Sequence, residues 1–429
     1  MKAMKESGIG EQRGKTELNS SEAKFRINIL ACGLGPKGIS LAAQEVLNEA
    51  ELVFGAPRLL ESYAPDKDSY PLYLGKDIKE KLREVEVAKK NIAILVSGDS
   101  GFYSATSSIC EHFKADQVQI FPGISSVAGL AAKLKMPWQN WRLLSLHGRT
   151  GAAVDTIRRE RYSFFLLGDS VSKADLKERL LQFGLGELSA HLAENLGLPE
   201  ESLCSAALKD LPLAESASLA VLMVENPKAD ARVLYGLPEE EFIRGKVPMT
   251  KSEIRAVLMS KLAVAPEDLC WDVGAGTGSV SIEMALAAYR GEVYAIEYKE
   301  EALDLIKHNL IKHKLGNLQV IAGKAPESLL DLPAPDLVFI GGSGGNLPEI
   351  VKTVYEKNPC CRIVITSITW ETSVAVFELC RALNLQAEYV QVSVNKAKVL
   401  GNYHLLMAEN PVQIFTLQKA GEVEGEEDK

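Results

Sequence analysis

The sequence predicts two dissimilar α/β domains in tandem, on three observations. Short apolar runs alternate with amphipathic stretches from Phe25 onward, and these runs open into loops of small residues. After a charged segment near residue 230 the alternation starts afresh around a glycine-rich turn. Strand ends that open into small-residue loops are where α/β folds place their clefts.

Taken in order, residues 25–31 (FRINILA) read as a buried strand ended by Gly33, Leu34, Gly35 and Pro36. Residues 39–49 have helical periodicity, and 51–54 form a second short strand. The run 92–97 (IAILVS) breaks at Gly98, Asp99, Ser100 and Gly101; 118–121 leads into Pro122 and Gly123. Residues 163–167 (SFFLL) lead into Gly168 and Asp169, and 219–224 close the first series. Asn226-Pro227 and the charged stretch to Gly245 read as a linker and lead-in. The second series has a helix over 253–262, a strand over 269–273 (LCWDV), a helix through Ala288, a strand over 292–296 ending at Glu297, and a helix over 301–313. Strands at 318–321, 336–340, 361–366 and 386–394 complete it. Alternation of this kind predicts a mostly parallel sheet with helices on both faces. The boundaries are then a disordered extension over 1–24, a first domain over 25–228, linker and lead-in over 229–246, a second domain over 247–415 and an acidic tail over 416–429.

Composition limits the function. A chain of 429 residues exceeds the usual size of one hydrophobic core. A net charge of −9 argues against an obligate nucleic-acid binder, which needs a basic face. The seven cysteines form no CxxC pair, a pattern that suits reduced thiols in the cytoplasm better than a disulfide framework or a zinc site. No stretch is long and apolar enough to span a bilayer, and residues 1–24 lack the apolar core of a secretory signal.

The sharpest chemical signal is the strand–loop–helix around Asp272, Val273, Gly274, Ala275, Gly276, Thr277 and Gly278. Glycines let the backbone turn tightly and let a ligand approach without a Cβ in the way. Glu297, ending the next strand, is placed to accept hydrogen bonds from a ribose diol. A dinucleotide fingerprint would want its third glycine where this chain has Ser279. The GxGxG spacing after an acidic residue resembles class I methyltransferases instead. Three further segments, residues 248–255 (PMTKSEIR), 323–327 (GKAPE) and 341–345 (GGSGG), together with Asn410-Pro411-Val412, make residues 232–415 similar to the decarboxylating precorrin C-15 methyltransferase family of cobalamin biosynthesis. That resemblance implies that Thr250, Gly274, Ala275, Gly276, Thr277, Gly278, Glu297 and Ala325 contact S-adenosylmethionine. Lys324 stands where the family commonly has Asp. The loop Gly341, Gly342, Ser343, Gly344, Gly345, at a strand's C-terminal end, is expected to meet a substrate carboxylate with its N–H groups.

In the first domain, Gly33-Leu34-Gly35-Pro36-Lys37-Gly38 matches GxGxxG as letters, but the second strand runs into Phe54-Gly55 with no acid at its end. Pro36 also removes a backbone donor from the loop. Read with residues 97–103 (SGDSGFY) and 122–126 (PGISS), the loop resembles the class III tetrapyrrole methylase fold, built of two α/β subdomains. Leu146-His147-Gly148-Arg149 is similar to the branch that methylates carbon 5 of the corrin ring. The resemblance covers residues 25–225 and implies that Pro36, Gly98, Asp99, Ser125, Ser126 and Leu167 line a second donor site. Asp99 and Ser125-Ser126 also have the simpler reading of helix caps.

The pairing of the two domains is similar to the bifunctional precorrin C-5,15 methyltransferases. It implies methylation of a precorrin or cobalt-precorrin at C-5 and C-15 with decarboxylation of the C-12 acetate, one donor site per domain, and a homo-oligomer without a membrane or nucleic-acid partner. A methyl sulfonium is already activated, so the protein needs mainly to orient the reactants and exclude water; no protein metal is required. Lys37, Arg58 and Arg149 in the first domain, and Lys251, Arg255, Lys396 and Lys398 in the second, are the cations expected to hold the substrate's carboxylates. Two other readings stay open: an RNA- or protein-modifying methyltransferase on the same folds, and a chain in which one domain is only an oligomerisation scaffold.

Overall fold

Alternate side chains of the first apolar run serve two different cores. In β1 (Arg26–Ala31), Ile27, Ile29 and Ala31 enter one buried cluster, whereas Leu30 enters another on the opposite face. A strand covered on both faces needs an unbroken apolar run rather than an alternating one. The structure is a computed structural model that describes residues 26–85, 91–146, 151–168 and 173–419. The expectations for residues 1–24, Phe25, His147, Arg149, Asp169 and the last ten residues lie outside the described residues.

The chain divides into two units, one running through Met136 and taking in Leu196–Pro199, the other comprising Pro137–Asn195 and Glu200–Lys429. In the first unit, β1 is joined by β2 (Leu52–Gly55), β3 (Ser69–Tyr70), β4 (Asn91–Val96) and β5 (Val118–Phe121). The order is β3-β2-β4-β1-β5, parallel throughout. In β4, Ile92, Ile94 and Val96 join one core while Ala93 and Leu95 join the other, repeating the arrangement of β1.

The second unit holds two large sheets, of five and seven strands. The first contains β6 (Arg142–Ser145), β7 (Tyr162–Leu167), β8 (Ser189–Glu194), β9 (Ser202–Ala207) and β10 (Ala220–Glu225) in the order β6-β7-β10-β8-β9. Only β6 and β7 pair in parallel; the other pairings are antiparallel. The second large sheet is built from β11 (Leu269–Val273), β12 (Glu292–Glu297), β13 (Leu318–Ala322), β14 (Leu337–Ile340), β15 (Arg362–Ser367) and β16 (Leu385–Val392). After β16 the chain forms a separate hairpin, β17 (Asn395–Leu400) with β18 (Tyr403–Ala408), and then returns as β19 (Val412–Lys419). The order is β13-β12-β11-β14-β15-β19-β16, with β19 antiparallel to both neighbours and β11 to β15 parallel. Trp271, Val273, Val338, Ile340, Ile363 and Ile365 face one core; Cys270, Leu337, Phe339 and Val364 face the other.

Two expected boundaries shift. A strand beyond the expected set, β19, reaches Lys419, so residues 416–419 belong to the sheet and not to a tail: Leu417 is fully buried there. The lead-in is also more than a linker. Gly236 and Leu237 donate their N–H groups to Glu283 at 2.8 and 2.9 Å, and Ile243 donates to Asn309 Oδ1 at 2.7 Å, tying the segment to two helices of the second large sheet. No helix of the described residues is long and apolar enough to cross a membrane, and the seven cysteines are free.

Candidate functional site

At the C-terminal end of β11 the chain must turn sharply, because Gly274 and Ala275 both donate to Ile296 O (3.0 and 3.1 Å) before the helix Ser279–Ala287 begins. Gly274 has φ +74°, and a Cβ there would lie 2.5 Å from Gly342 O. Both the backbone conformation and the close approach therefore require glycine. The loop after β14 is drawn to the same place, since Gly341 and Gly342 donate to Val273 O at 3.0 and 3.3 Å.

Glu297 ends β12 beside this turn. Its Oε2 accepts from Gly276 N–H at 3.0 Å, and its Oε1 accepts from Tyr298 and Lys299 N–H at 2.8 and 3.0 Å. These bonds fix the carboxylate at the strand end and leave acceptor capacity for a hydroxyl. Further along, Gly323 donates to Glu297 O at 2.9 Å, and Asn346 Nδ2 donates to Ala325 O at 3.2 Å. The outcome is an open cleft of about 560 Å³, counting the space that opens to solvent, across the ends of β11, β12, β13 and β14.

That cleft brings together six of the expected residues: Gly274, Glu297, Ala325, Gly342, Ser343 and Gly344. Ala275, Gly276, Thr277 and Gly278 form the turn and do not line it. Thr250 lies at the start of the helix Ser252–Leu262, where its carbonyl accepts from Arg255. Tyr298, Lys324 and Asn346 also line the cleft without having been singled out as contacts, and Lys324 Nζ sits 5.0 Å from the Tyr298 ring centroid. Asn346 directly follows the glycine loop, so the loop could have pointed to it. Tyr298 follows Glu297 but carries no motif of its own.

Under the turn lies Asp272, fully buried, whose Oδ2 accepts from Ser281 and whose Oδ1 has no partner. Burial pushes its carboxyl up to about 7, the Ser281 bonds work against this, and the nearby Glu297 charge adds to it. A carboxyl that holds its proton more tightly folded than unfolded stabilises the fold fully below about pH 4 and loses that contribution as pH rises to about 7. Between pH 5 and 8 the thermal midpoint of the wild type should therefore fall relative to that of Asp272→Asn, as read by scanning calorimetry. Parallel curves would show that Asp272 does not titrate in this range.

The cations expected at the substrate mouth are mostly engaged elsewhere. Arg255 is a correction: it is fully buried, with Nε donating to Glu283 at 2.7 Å and its other nitrogens to the carbonyls of Thr250 and Leu237, so it cannot reach a substrate. Replacing it by Met would strand the buried Glu283 carboxylate and cost about 3–5 kcal/mol, seen as a lowered urea midpoint. An unchanged midpoint would contradict this assignment. Lys251 pairs with Glu239 at 3.3 Å, and Lys396 pairs with Glu253 at 3.0 Å and Glu409 at 3.7 Å. Lys398 is exposed on β17.

In the first unit, three loops meet at the C-terminal ends of β1, β4 and β5. Gly33 N–H donates to Gly98 O at 2.9 Å, and a Cβ on Gly123 would lie 2.5 Å from Gly98 O and 2.8 Å from both Ala31 O and Gly33 N. Asp99 Oδ1 accepts from Gly101 N–H at 2.8 Å, and Ser125 Oγ caps the helix Ser126–Leu134 through Ala128 N–H at 3.3 Å, so both side chains serve local turns. Pro36 and Lys37 are exposed on the first loop. Arg58 Nη2 donates to Ser97 Oγ at 2.9 Å. Leu167 ends β7 in the other unit and is buried.

Comparison with known proteins decides the family. Residues 241–419 match the precorrin methyltransferase domain, and residues 27–212 match the tetrapyrrole (corrin/porphyrin) methylases. A protein of Pyrobaculum calidifontis named as a probable cobalt-precorrin-6B C(15)-methyltransferase (decarboxylating) is 43% identical over 184 residues, covering 42% of this chain and 94% of that relative. The chain belongs to the precorrin methyltransferase family. A second relative in this family, the precorrin-6Y C(5,15)-methyltransferase [decarboxylating] of a Sinorhizobium species, is 25% identical over 376 residues, 86% of this chain and 90% of that protein. The crystal structure of a precorrin-6y C5,15-methyltransferase from Geobacter metallireducens GS-15 is 38% identical, covering 43% of this chain and 97% of that one at a TM-score of 0.41.

Proposed function

We propose that this chain is a bifunctional enzyme that methylates a precorrin or cobalt-precorrin at C-5 and C-15 and decarboxylates its C-12 acetate, with S-adenosylmethionine as methyl donor at one site per domain. The cleft carries this reading: Gly274, Glu297 and the 342–344 loop converge where a nucleoside and an acceptor carboxylate can lie side by side. The family's match to both halves of the chain supports the pairing of activities.

The residues fit such a donor. Glu297 offers acceptor oxygens to a ribose diol, Gly274 removes the Cβ that would fill the turn, and the orphaned Asp272 Oδ1 and Thr277 Oγ1 lie beneath it. The donor supplies a methyl group already activated on a sulfonium. What remains for the chain is to align an electron-rich tetrapyrrole carbon with it and to keep water out. Gly342 N–H is held by Val273 O, which leaves Ser343 and Gly344 to offer backbone N–H groups to a carboxylate, and the conjugated macrocycle takes the electron pair released with carbon dioxide. In the first unit the meeting of the 33–36, 97–101 and 122–126 loops, with Pro36, Gly98, Asp99, Ser125 and Ser126, supports a second donor site of the class III kind. There Lys37 and Arg58 would serve substrate carboxylates.

A homo-oligomer fits the exposed apolar surface of the β17–β18 hairpin, where Leu400, Tyr403 and Leu406 are 61%, 74% and 76% exposed. Seven free cysteines support a cytoplasmic setting. The test of the donor assignment is the stoichiometry of bound S-adenosylhomocysteine in equilibrium dialysis. Two equivalents per chain are expected; one equivalent would leave the other domain as a scaffold.

A further inference from the structure

The lead-in segment passes directly over the glycine turn. Val247 Cγ1 and Pro248 O would lie 3.8 and 3.4 Å from a Cβ on Gly276, and Lys246 N–H donates to Glu301 Oε1 at 3.2 Å. One fully buried side chain joins this segment to the turn. Asn309, on the helix Glu300–Lys312, accepts from Ile243 N–H through Oδ1 at 2.7 Å. Its Nδ2 donates to Ile243 O at 3.2 Å and to Thr277 O at 3.1 Å. The partners fix the amide's orientation, because a flipped amide would set its oxygen against two carbonyls.

We infer that Asn309 is a positioning residue for the donor site: it fastens the 236–250 segment and the Thr277–Gly278 peptide to one another, and so holds the glycine turn in its binding conformation. The inference rests on the donor-site reading above. Asn309 touches neither donor nor substrate; it acts through Thr277 O. Gly278, the next residue, has φ +78° and starts the helix Ser279–Ala287, so a shift of the Thr277 carbonyl would re-aim the N–H groups of that helix's first turn. Organising such a turn before the ligand arrives spares the ligand the cost of ordering it.

Asn317 provides a matched control. It is also buried, and its Nδ2 donates to Ala285 O and Ala288 O at 3.0 and 2.8 Å, holding the far end of the same helix away from the turn. In the full-length chain, Asn309→Ala should raise the KM for S-adenosylmethionine about tenfold, measured by carbon dioxide release from the tetrapyrrole, with kcat and the tetrapyrrole KM within about twofold. Asn317→Ala should lower the unfolding midpoint comparably and leave the donor KM within about twofold. Should Asn309→Ala fail to fold, Asn309→Asp keeps the acceptor for Ile243 N–H and loses the donor to Thr277 O. Its donor KM should improve as pH falls and the carboxyl regains a proton to donate, a profile absent from the wild type. Equal donor KM values in Asn309→Ala and Asn317→Ala, or a flat profile in Asn309→Asp, would overturn the assignment alone. A wild type that binds no S-adenosylhomocysteine would overturn the donor-site reading and this assignment with it.

Discussion

Replacing Gly274 by valine is expected to abolish carbon dioxide release and to reduce bound S-adenosylhomocysteine from two equivalents per chain to one. Gly274 has φ +74°, a conformation that strains any β-branched residue by about 1–3 kcal/mol. The new Cβ would also lie 2.5 Å from Gly342 O and 2.9 Å from Gly342 N, atoms of a backbone that is itself hydrogen-bonded to Val273. The 341–345 loop would have to move off the cleft, displacing both the donor turn and the surface offered to the acceptor. Displacements of about 1 Å at such a site cost on the order of a hundredfold in rate, so loss of turnover should far exceed any loss of stability. Circular dichroism would show whether the fold survives, and a valine variant that still decarboxylates at the wild-type rate would remove the cleft from the mechanism.

Gly123→Val should produce the complementary defect. Its Cβ would meet three backbone atoms, Gly98 O, Ala31 O and Gly33 N, within 2.8 Å, so no side chain can yield to make room. The loops after β1, β4 and β5 must separate, which dismantles the proposed C-5 site while leaving the seven-stranded sheet of the other unit untouched. The product expected is a tetrapyrrole with one added methyl and one lost carboxyl. A doubly methylated product at the wild-type rate would place C-5 methylation elsewhere in the chain.

Much of this was legible because it is local. Buried parallel strands such as β1, β4, β11 and β14 announce themselves as apolar runs, and the glycines and Glu297 lie at chain spacings that the strand–loop–helix geometry imposes. Strands such as β6, β9 and β17 went unread because they lack that signal. β9 (SLCSAA) and β17 (NKAKVL) are short of β-branched residues and largely solvent-facing, while β6 (RLLS) has only two apolar residues. β19 begins next to a proline and ends in polar residues beside an acidic stretch, so no strand is read there and its last four residues read as the start of a tail. The errors at the site have a different origin. Arg255 next to Lys251 looks like a cationic patch until the fold brings Glu283, 28 residues on, against it. Asn309 is one polar residue in the middle of an amphipathic helix; its partners Ile243 and Thr277 are 66 and 32 positions away. Spacing along a chain does not reveal such long-range hydrogen bonds.

The central claim is that one polypeptide performs both methylations and the decarboxylation. It is tested most directly by incubating the purified full-length chain with S-adenosylmethionine and precorrin-6B, or its cobalt form, and weighing the product by mass spectrometry. A gain of two methyl groups with loss of one carbon dioxide is the predicted result. An unchanged tetrapyrrole in both metal states, from protein shown to bind S-adenosylhomocysteine, would contradict it and turn attention to an RNA or protein acceptor.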